Sequence, residues 1–274
     1  MREITQINQM MINSPWLITQ EGYHVIQSAL EKLDIHLLDD EVSANDDAID
    51  VHEGIAVVPI QGTMMRGVSP IIAKFFGMTD TALIKDKIQM LGDADDVKGI
   101  MLDIDSPGGA VTGVEEAAQA VYEVSKKKPV YASVEGLMAS AAYWVGSQAN
   151  AVVASSSSKV GSIGVYLPII DSSESYKSQG IHVELIKNKE ATYKGAGFDG
   201  TSLTDDQKEY MQEMVQDIFT DFQQGVLRQR PQIKSDTMRG QVYMGKRAVD
   251  RGLADAIGSY EDAMSLLNLE INNS

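Results

Sequence analysis

Gly99-Ile-Met-Leu-Asp-Ile104, Asp105-Ser-Pro-Gly-Gly-Ala110, a helical pattern from Thr112 to Tyr122 and Pro129-Val-Tyr-Ala-Ser-Val134 follow one another, and their order decides the fold. The two flanking runs are short, apolar and rich in β-branched residues, so each predicts a buried strand. Between them Val114, Ala117, Ala118, Val121 and Tyr122 recur at helical spacing and mark one apolar face. Thr112, with Glu115 three residues on, has the spacing of a capping box. Strand, helix and strand at this separation make a βαβ unit with a right-handed crossover, and both strands then lie in one parallel sheet.

The pattern extends both ways. Ile55-Ala-Val-Val-Pro-Ile60 predicts an earlier strand. Ala151-Val-Val-Ala154, Ile163-Gly-Val-Tyr166 and His182-Val-Glu-Leu-Ile186 predict later ones. A second strong helix begins at Thr204, where Gln207 completes a capping box; its face is Met211, Met214, Val215, Ile218, Phe219 and Phe222. The fold class is therefore α/β. Gly62 to Ser69 reads as a loop over a cleft. Residues 1 to about 36 read as helical, from Ile26, Ala29, Leu30 and Leu33 after a cap at Thr19. Trp16 reads as an anchor of this arm. Asp39 to Glu53 is acidic and polar, as a solvated linker is. The expected organisation is an N-terminal helical arm and linker at 1–53, one large domain at 54–265 and a tail at 266–274.

Composition excludes several functions. The chain has 274 residues, 43% of them hydrophobic, enough for a core without staples. It has no cysteine, so disulfides, thiolate nucleophiles and Cys-ligated metals are excluded. His24, His36, His52 and His182 form no i, i+4 pair, and none sits in a Gly-rich turn. A zinc site or a histidine base is thus unsupported, and no metal or cofactor is expected. A net charge of -16 disfavours nucleic acid as a partner. The basic run Lys126-Lys127-Lys128 reads as a helix C-terminus, where the dipole favours cations. The first residues contain no apolar h-region, and no run approaches about 18 apolar residues. Neither a secretory signal nor a membrane anchor is expected, and a cytoplasmic location is.

Three segments could carry chemistry. Asp105-Ser-Pro-Gly-Gly-Ala110 lies where a strand ends and a helix begins, so its glycine amides are candidates for an oxyanion hole or for a plain turn. Gly136-Leu-Met-Ala-Ser-Ala-Ala-Tyr-Trp144 places Ser140 among small residues at the start of a helix. There a hydroxyl either caps the helix or sits at the positive end of its dipole as a nucleophile. A serine nucleophile needs a base, and a lysine serves where burial disfavours its ammonium form. Lys194, in Ala191-Thr-Tyr-Lys-Gly-Ala-Gly-Phe198, has no charged neighbour within three positions; Lys187 and Lys189 are less apt.

Taken together, these segments resemble the S49, signal-peptide-peptidase-like family of serine peptidases. The shared order is strand, Asp-Ser-Pro-Gly-Gly, helix, strand, Met138-Ala-Ser-Ala-Ala-Tyr143, then a lysine 54 residues beyond the serine. Lys159-Val-Gly-Ser-Ile-Gly-Val165 resembles the family's Gly-Ser-Ile-Gly segment, and Gln241 to Asp255 its closing segment. The resemblance covers roughly residues 54 to 265 and implies a ClpP/crotonase-like fold with a Ser-Lys dyad. Carried over, Ser140 attacks the scissile carbonyl, Lys194 takes its proton, and the backbone N–H groups of Gly109 and Ser140 hold the oxyanion. Gly108 is a further oxyanion candidate, and Ser162 would orient the lysine.

The opening Asn13-Ser-Pro-Trp-Leu-Ile-Thr-Gln-Glu-Gly22 looks like the short phage branch of the family, whose members resemble head maturation proteases. The resemblance implies protein or peptide substrates, capsid or scaffold proteins among them. It also implies a homo-oligomeric ring, located in the host cytoplasm or the procapsid interior. Both dyad residues fall in one half-length unit. Three competing readings are a non-catalytic capsid assembly or scaffold protein, a cytoplasmic signal-peptide-peptidase-like protease of bacterial origin, and an acyl-CoA enzyme on the related crotonase fold. The last needs a carboxylate acting on substrate, and none lies in the tract around Ser140.

Overall fold

The computed structural model describes residues 11, 14–31 and 50–273. The start of the N-terminal arm, residues 32–36 and most of the acidic linker therefore lie outside the described residues. In chain order the first elements are β1 (Trp16–Ile18), α1 (Gln20–Glu31), β2 (Asp50–His52), β3 (Ile55–Gln61), β4 (Thr63–Met65) and α2 (Pro70–Phe76). Next come β5 (Met78–Asp80), α3 (Thr81–Asp93), β6 (Gly99–Asp105), β7 (Gly108–Ala110), α4 (Val114–Ser125) and β8 (Val130–Val134). After these follow β9 (Leu137–Ala139), α5 (Ala141–Gly146), β10 (Ala151–Ala154), β11 (Lys159–Gly161) and α6 (Ser173–Ser178). The chain closes with α7 (Asp205–Gln229), β12 (Val242–Met244), α8 (Gly245–Asp250), β13 (Ala256–Ile257) and α9 (Tyr260–Asn273). Residues 266–273, set apart as a tail by their sequence, are the later turns of α9.

Two compact units emerge, Leu17–Gly164 with Asp221–Ser274, and Met1–Trp16 with Val165–Thr220. The larger unit holds a six-stranded sheet ordered β13-β10-β8-β6-β3-β2. Its pairs are parallel except for β2, which lies antiparallel on β3. β6 and β8 are neighbours in register Ile100↔Val130, so the unit read from residues 99–134 forms. These strands are buried on both faces, which explains their continuous apolar runs. On one face Ile55, Met101, Tyr131 and Val153 pack with Ala263 and Leu267 of α9. α3 buries Ile84, Ile88 and Leu91, and α4 buries Val114, Ala117 and Val121. Gly92 lets these two helices approach, since a Cβ there would stand 2.5 Å from Val124 Cγ2.

Four strands of this sheet run on, after a short bend, into two smaller sheets. β3 continues to β4 and β6 to β7 in the order β1-β7-β4-β5; β8 continues to β9 and β10 to β11 in the order β12-β11-β9. Gly108 and Gly109 lie in β7, and Ser140 and Ser162 directly follow β9 and β11, all beyond the carboxyl ends of the large sheet's parallel strands, where open α/β sheets bind ligands.

Several local expectations change. The first capping box does not form: α4 is capped by Gly113 at φ 86°, with no side-chain cap bond. A left-handed cap replaces the extended N-cap that such a box requires. The second box does form, with Gln207 N–H on Thr204 Oγ1 at 3.2 Å and Thr204 N–H on Gln207 Oε1 at 3.1 Å. Gly62 to Ser69 is not a plain loop, because Thr63–Met65 is a buried strand between β5 and β7. Met64 and Met65 fill the core there. Neither 163–166 nor 182–186 forms a strand; Tyr166 makes only an isolated bridge to Trp16, which is fully buried. The lysine run does end a helix, and Lys128 Nζ also reaches the Leu91 and Ala94 carbonyls at the end of α3.

The closing segment is tied to the sheet by a buried charge. Arg230 Nη1 meets Asp255 Oδ2 at 2.6 Å, and the same oxygen accepts the Val152 N–H at 2.7 Å. Arg230 also donates to the Ser147 and Ala149 carbonyls, which satisfies most of its fork.

Candidate active site

The Asp-Ser-Pro-Gly-Gly turn and the segment leading to Ser140 run side by side. Ser106 N–H donates to Leu137 O at 2.7 Å, and Ala139 N–H returns to Ser106 O at 3.1 Å. Asp105 Oδ1 accepts the Leu137 N–H at 2.9 Å. A Cβ on Gly136 would stand 2.4 Å from that carboxylate, so glycine permits the approach. Ser106 Oγ donates to Gly62 O at 2.6 Å and accepts the Gly108 N–H at 3.2 Å, bracing the turn. Gly108 has φ 98°, and a Cβ there would lie 2.9 Å from Ser140 Cβ. The glycine turn and the candidate nucleophile are therefore in contact.

Ser140 precedes α5 with φ 55° and ψ −117°. Such a conformation costs a non-glycine residue about 1–3 kcal/mol and persists only where surroundings over-determine it. Ser140 is 1% exposed, and its Oγ has no hydrogen-bond partner. It makes no side-chain cap bond, so the capping role open to it in the sequence is not used. Its N–H donates to Gly161 O at 2.8 Å. That amide, an oxyanion candidate in the sequence, is engaged by the Gly161 carbonyl in this conformation. The Gly108 N–H is likewise engaged, on Ser106 Oγ. Gly109 pairs with Met64 across β7 and β4. The Ala141 amide opens α5, where first-turn N–H groups lack helical acceptors.

The Gly-Ser-Ile-Gly segment reaches the same place. β11 lies parallel to β9 in register Gly161↔Ala139, which brings Gly161 O onto the Ser140 amide and puts Ser162 next in the chain. Ser162 also has a positive φ, 55°, and its N–H donates to Gln241 O at 2.7 Å. Long-range pairing thus brings together Ser140, Gly108, Gly109 and the Ser162 segment. Lys194 belongs to the smaller unit, in a turn closed by its own N–H on Ala191 O at 3.2 Å. It is exposed, and Lys187 Nζ donates to its carbonyl at 3.2 Å.

Asp103 lies on β6, level with Ser133 on β8. Its pKa is raised by burial, and further by the neighbouring charges of Glu135 and Asp105. A raised folded-state value means that the native protein prefers the protonated acid. The stabilisation is present below the unfolded value of about 4 and is lost as pH rises through the folded value. Asp103→Asn is therefore expected to raise the melting temperature at neutral pH, with the gain fading as pH falls through the raised folded value and gone below about pH 4. Melting curves of both proteins across that range check this; an equal offset at every pH would exclude the charge as its cause.

The family model described as peptidase family S49 matches residues 122–273, just over half of the chain. The chain belongs to peptidase family S49. Ser140, Ser162 and Lys194 fall inside the matched S49 region, and Gly108 and Gly109 precede it. A Methanocaldococcus jannaschii protein is 39% identical, covering 66% of this chain and 58% of its own. Capsid assembly protease C of Escherichia phage lambda is 31% identical, covering 79% and 49%. Protease 4 of Haemophilus influenzae is 29% identical, covering 80% and 35%. The chain thus spans about half the length of the curated relatives it matches, or less. An enoyl-CoA hydratase/isomerase family member of known structure aligns with TM-score 0.47 and 14% identity, over 82% of this chain and 74% of its own. S49 membership makes the chain a member of a serine protease family. No helix among the described residues is long and apolar enough to cross a membrane.

The sequence did not single out Ser106, Gly161 or Ala141. Ser106 stood inside the quoted motif, and its bracing bonds follow from where β4 and β7 meet. The Gly161 carbonyl reaches the Ser140 amide only through pairing between β9 and β11, which leaves no local signal.

Proposed function

We propose that this S49 peptidase is a serine endopeptidase with a Ser140–Lys194 dyad, processing capsid or scaffold proteins during phage head maturation. One observation carries the reading: Ser140 holds a buried, partnerless hydroxyl on a strained backbone, against a Gly-Gly turn at the start of a helix. Most buried hydroxyls are hydrogen-bonded; those of Ser140 and Ser133 are not, and only Ser140 of the two combines this with a positive φ and contact with the glycine turn.

In this reading Ser140 Oγ adds to the scissile carbonyl while the Lys194 amine takes the hydroxyl proton. The carbonyl oxygen becomes an oxyanion, held by the N–H groups of Gly109 and Ala141. Ala141 replaces Ser140 in that role because the Ser140 amide is spent on Gly161. Collapse expels the amine, which receives the proton from Lys194, and water then hydrolyses the acyl-enzyme with Lys194 again as base. Each oxyanion donor is worth about 100- to 1000-fold in rate. Burial is what turns a lysine into a base, so the reading requires that substrate or a second copy cover Lys194. Ser162 orients the lysine, and a homo-oligomeric ring in the host cytoplasm or the procapsid interior is the working form. The division into an arm at 1–53 and a peptidase domain at 54–265 belongs to the same proposal. The phage lambda capsid assembly protease among the relatives supports the capsid substrates.

Cleavage of casein and of scaffold-derived peptides by wild type, Lys194→Ala, Lys187→Ala and Lys189→Ala tests the dyad. Lys194→Ala alone is expected to lose about 10⁴-fold or more, as loss of a catalytic base does. Full activity in a folded Lys194→Ala would move the base to Lys187 or Lys189.

A further inference from the structure

Ser140 is 1% exposed, so a peptide from outside reaches it only after something moves. The edge strand beside the glycine turn is part of its cover. β1 lies at the margin of the four-stranded sheet, next to β7, which carries Gly108 and Gly109. A Cβ on Gly108 would stand 2.1 Å from the Leu17 carbonyl oxygen and 2.9 Å from Ser140 Cβ. Leu17 thus holds a main-chain carbonyl within a few ångström of the candidate nucleophile. The Thr19 N–H donates to Pro107 O at 2.9 Å, and Gly22 packs closely on the Pro107 ring. Leu17 and Ile18 are 0% and 3% exposed.

An extended backbone laid along the glycine strand, with a carbonyl near the serine, is the pose an extended substrate would take by strand addition. We propose that β1 is a built-in competitor: Leu17–Thr19 occupies the strand position beside β7 that a substrate needs, and cleavage requires this strand to leave. The proposal rests on Ser140 being the nucleophile. It also names the substrate class, an extended segment with large apolar side chains like those of Leu17 and Ile18. The proposal requires that β1, a three-residue edge strand whose side chains are all buried, opens locally ahead of global unfolding. Opening exposes Ser140 without disturbing the parallel sheet beneath.

The test is the rate at which a fluorophosphonate probe labels the full-length chain. Leu17→Gly is expected to label at least about tenfold faster than wild type, because loss of the buried side chain frees the strand. Ile18→Ala, a milder loss, is expected to fall between them and provides a second variant if Leu17→Gly folds poorly. A synthetic peptide of residues 14–20 should slow labelling of the faster variant back toward the wild-type rate, which a merely structural defect would not allow. Equal or slower labelling in a folded variant, with the label still on Ser140, would overturn the competitor while leaving the nucleophile in place. Labelling that persists in Ser140→Ala, or is absent from every variant, would remove the Ser140 reading and the competitor with it.

Discussion

Ser140→Ala is expected to abolish peptide cleavage, by about 10⁴-fold or more, while leaving the melting temperature unchanged or slightly raised. The two halves of that expectation separate chemistry from structure. A buried hydroxyl that makes hydrogen bonds typically stabilises a fold, and its removal costs about 1 kcal/mol. The Ser140 hydroxyl makes none, so its removal takes away an uncompensated polar group. The backbone strain at φ 55° is the same for alanine, since both residues carry a Cβ. Activity and stability should therefore part company in this variant. Casein cleavage with thermal melts on the same preparation decides it. A drop of several degrees alongside retained cleavage would assign Ser140 to structure.

Gly108→Ala is expected to remove activity and lower stability together. At φ 98° alanine is strained, and its Cβ would stand 2.1 Å from Leu17 O and 2.9 Å from both Ala139 O and Ser140 Cβ. Two of the three obstacles are backbone, so no side-chain rotation relieves them. The variant must push β1 away, open the turn or displace Ser140. A loss of at least about 2 kcal/mol is expected, in the upper range for overpacking. A displacement of about 1 Å at a reacting group is enough to cost about 100-fold in rate. If β1 is the element that yields, the lost stability should come with faster probe labelling of Ser140, whereas a displaced serine labels more slowly. Denaturant melts combined with labelling rates separate these outcomes. Wild-type stability together with wild-type cleavage would contradict the close approach at Gly108.

The family was legible in the chain because its motifs are ordered and local. Asp105 to Ala110, Met138 to Tyr143 and the Gly-Ser-Ile-Gly segment can each be read within a few residues. The lysine was less secure. Its assignment rested on a charge-free neighbourhood, yet chain neighbours do not determine burial, and Lys194 is exposed in a turn of the smaller unit. The strand expected at 182–186 had the right composition, but a strand also needs a partner, and none pairs with it among the described residues.

Periodicity and turn chemistry alone determined the parallel α/β core, from residues 55–60, 99–134 and 151–154, together with the placement of Ser140 at the start of a helix. They suffice there because apolar spacing is a property of neighbours in the chain. Only the tertiary structure decided which amides remain available near Ser140, because its N–H is claimed by Gly161, a residue that reaches it through the β9–β11 pairing. It alone decided that Gly113 caps α4, that Thr63–Met65 joins a sheet, and that Leu17 lies over the glycine turn. Each depends on a contact between distant parts of the chain, and the free energy of such a contact is set by what meets across the fold.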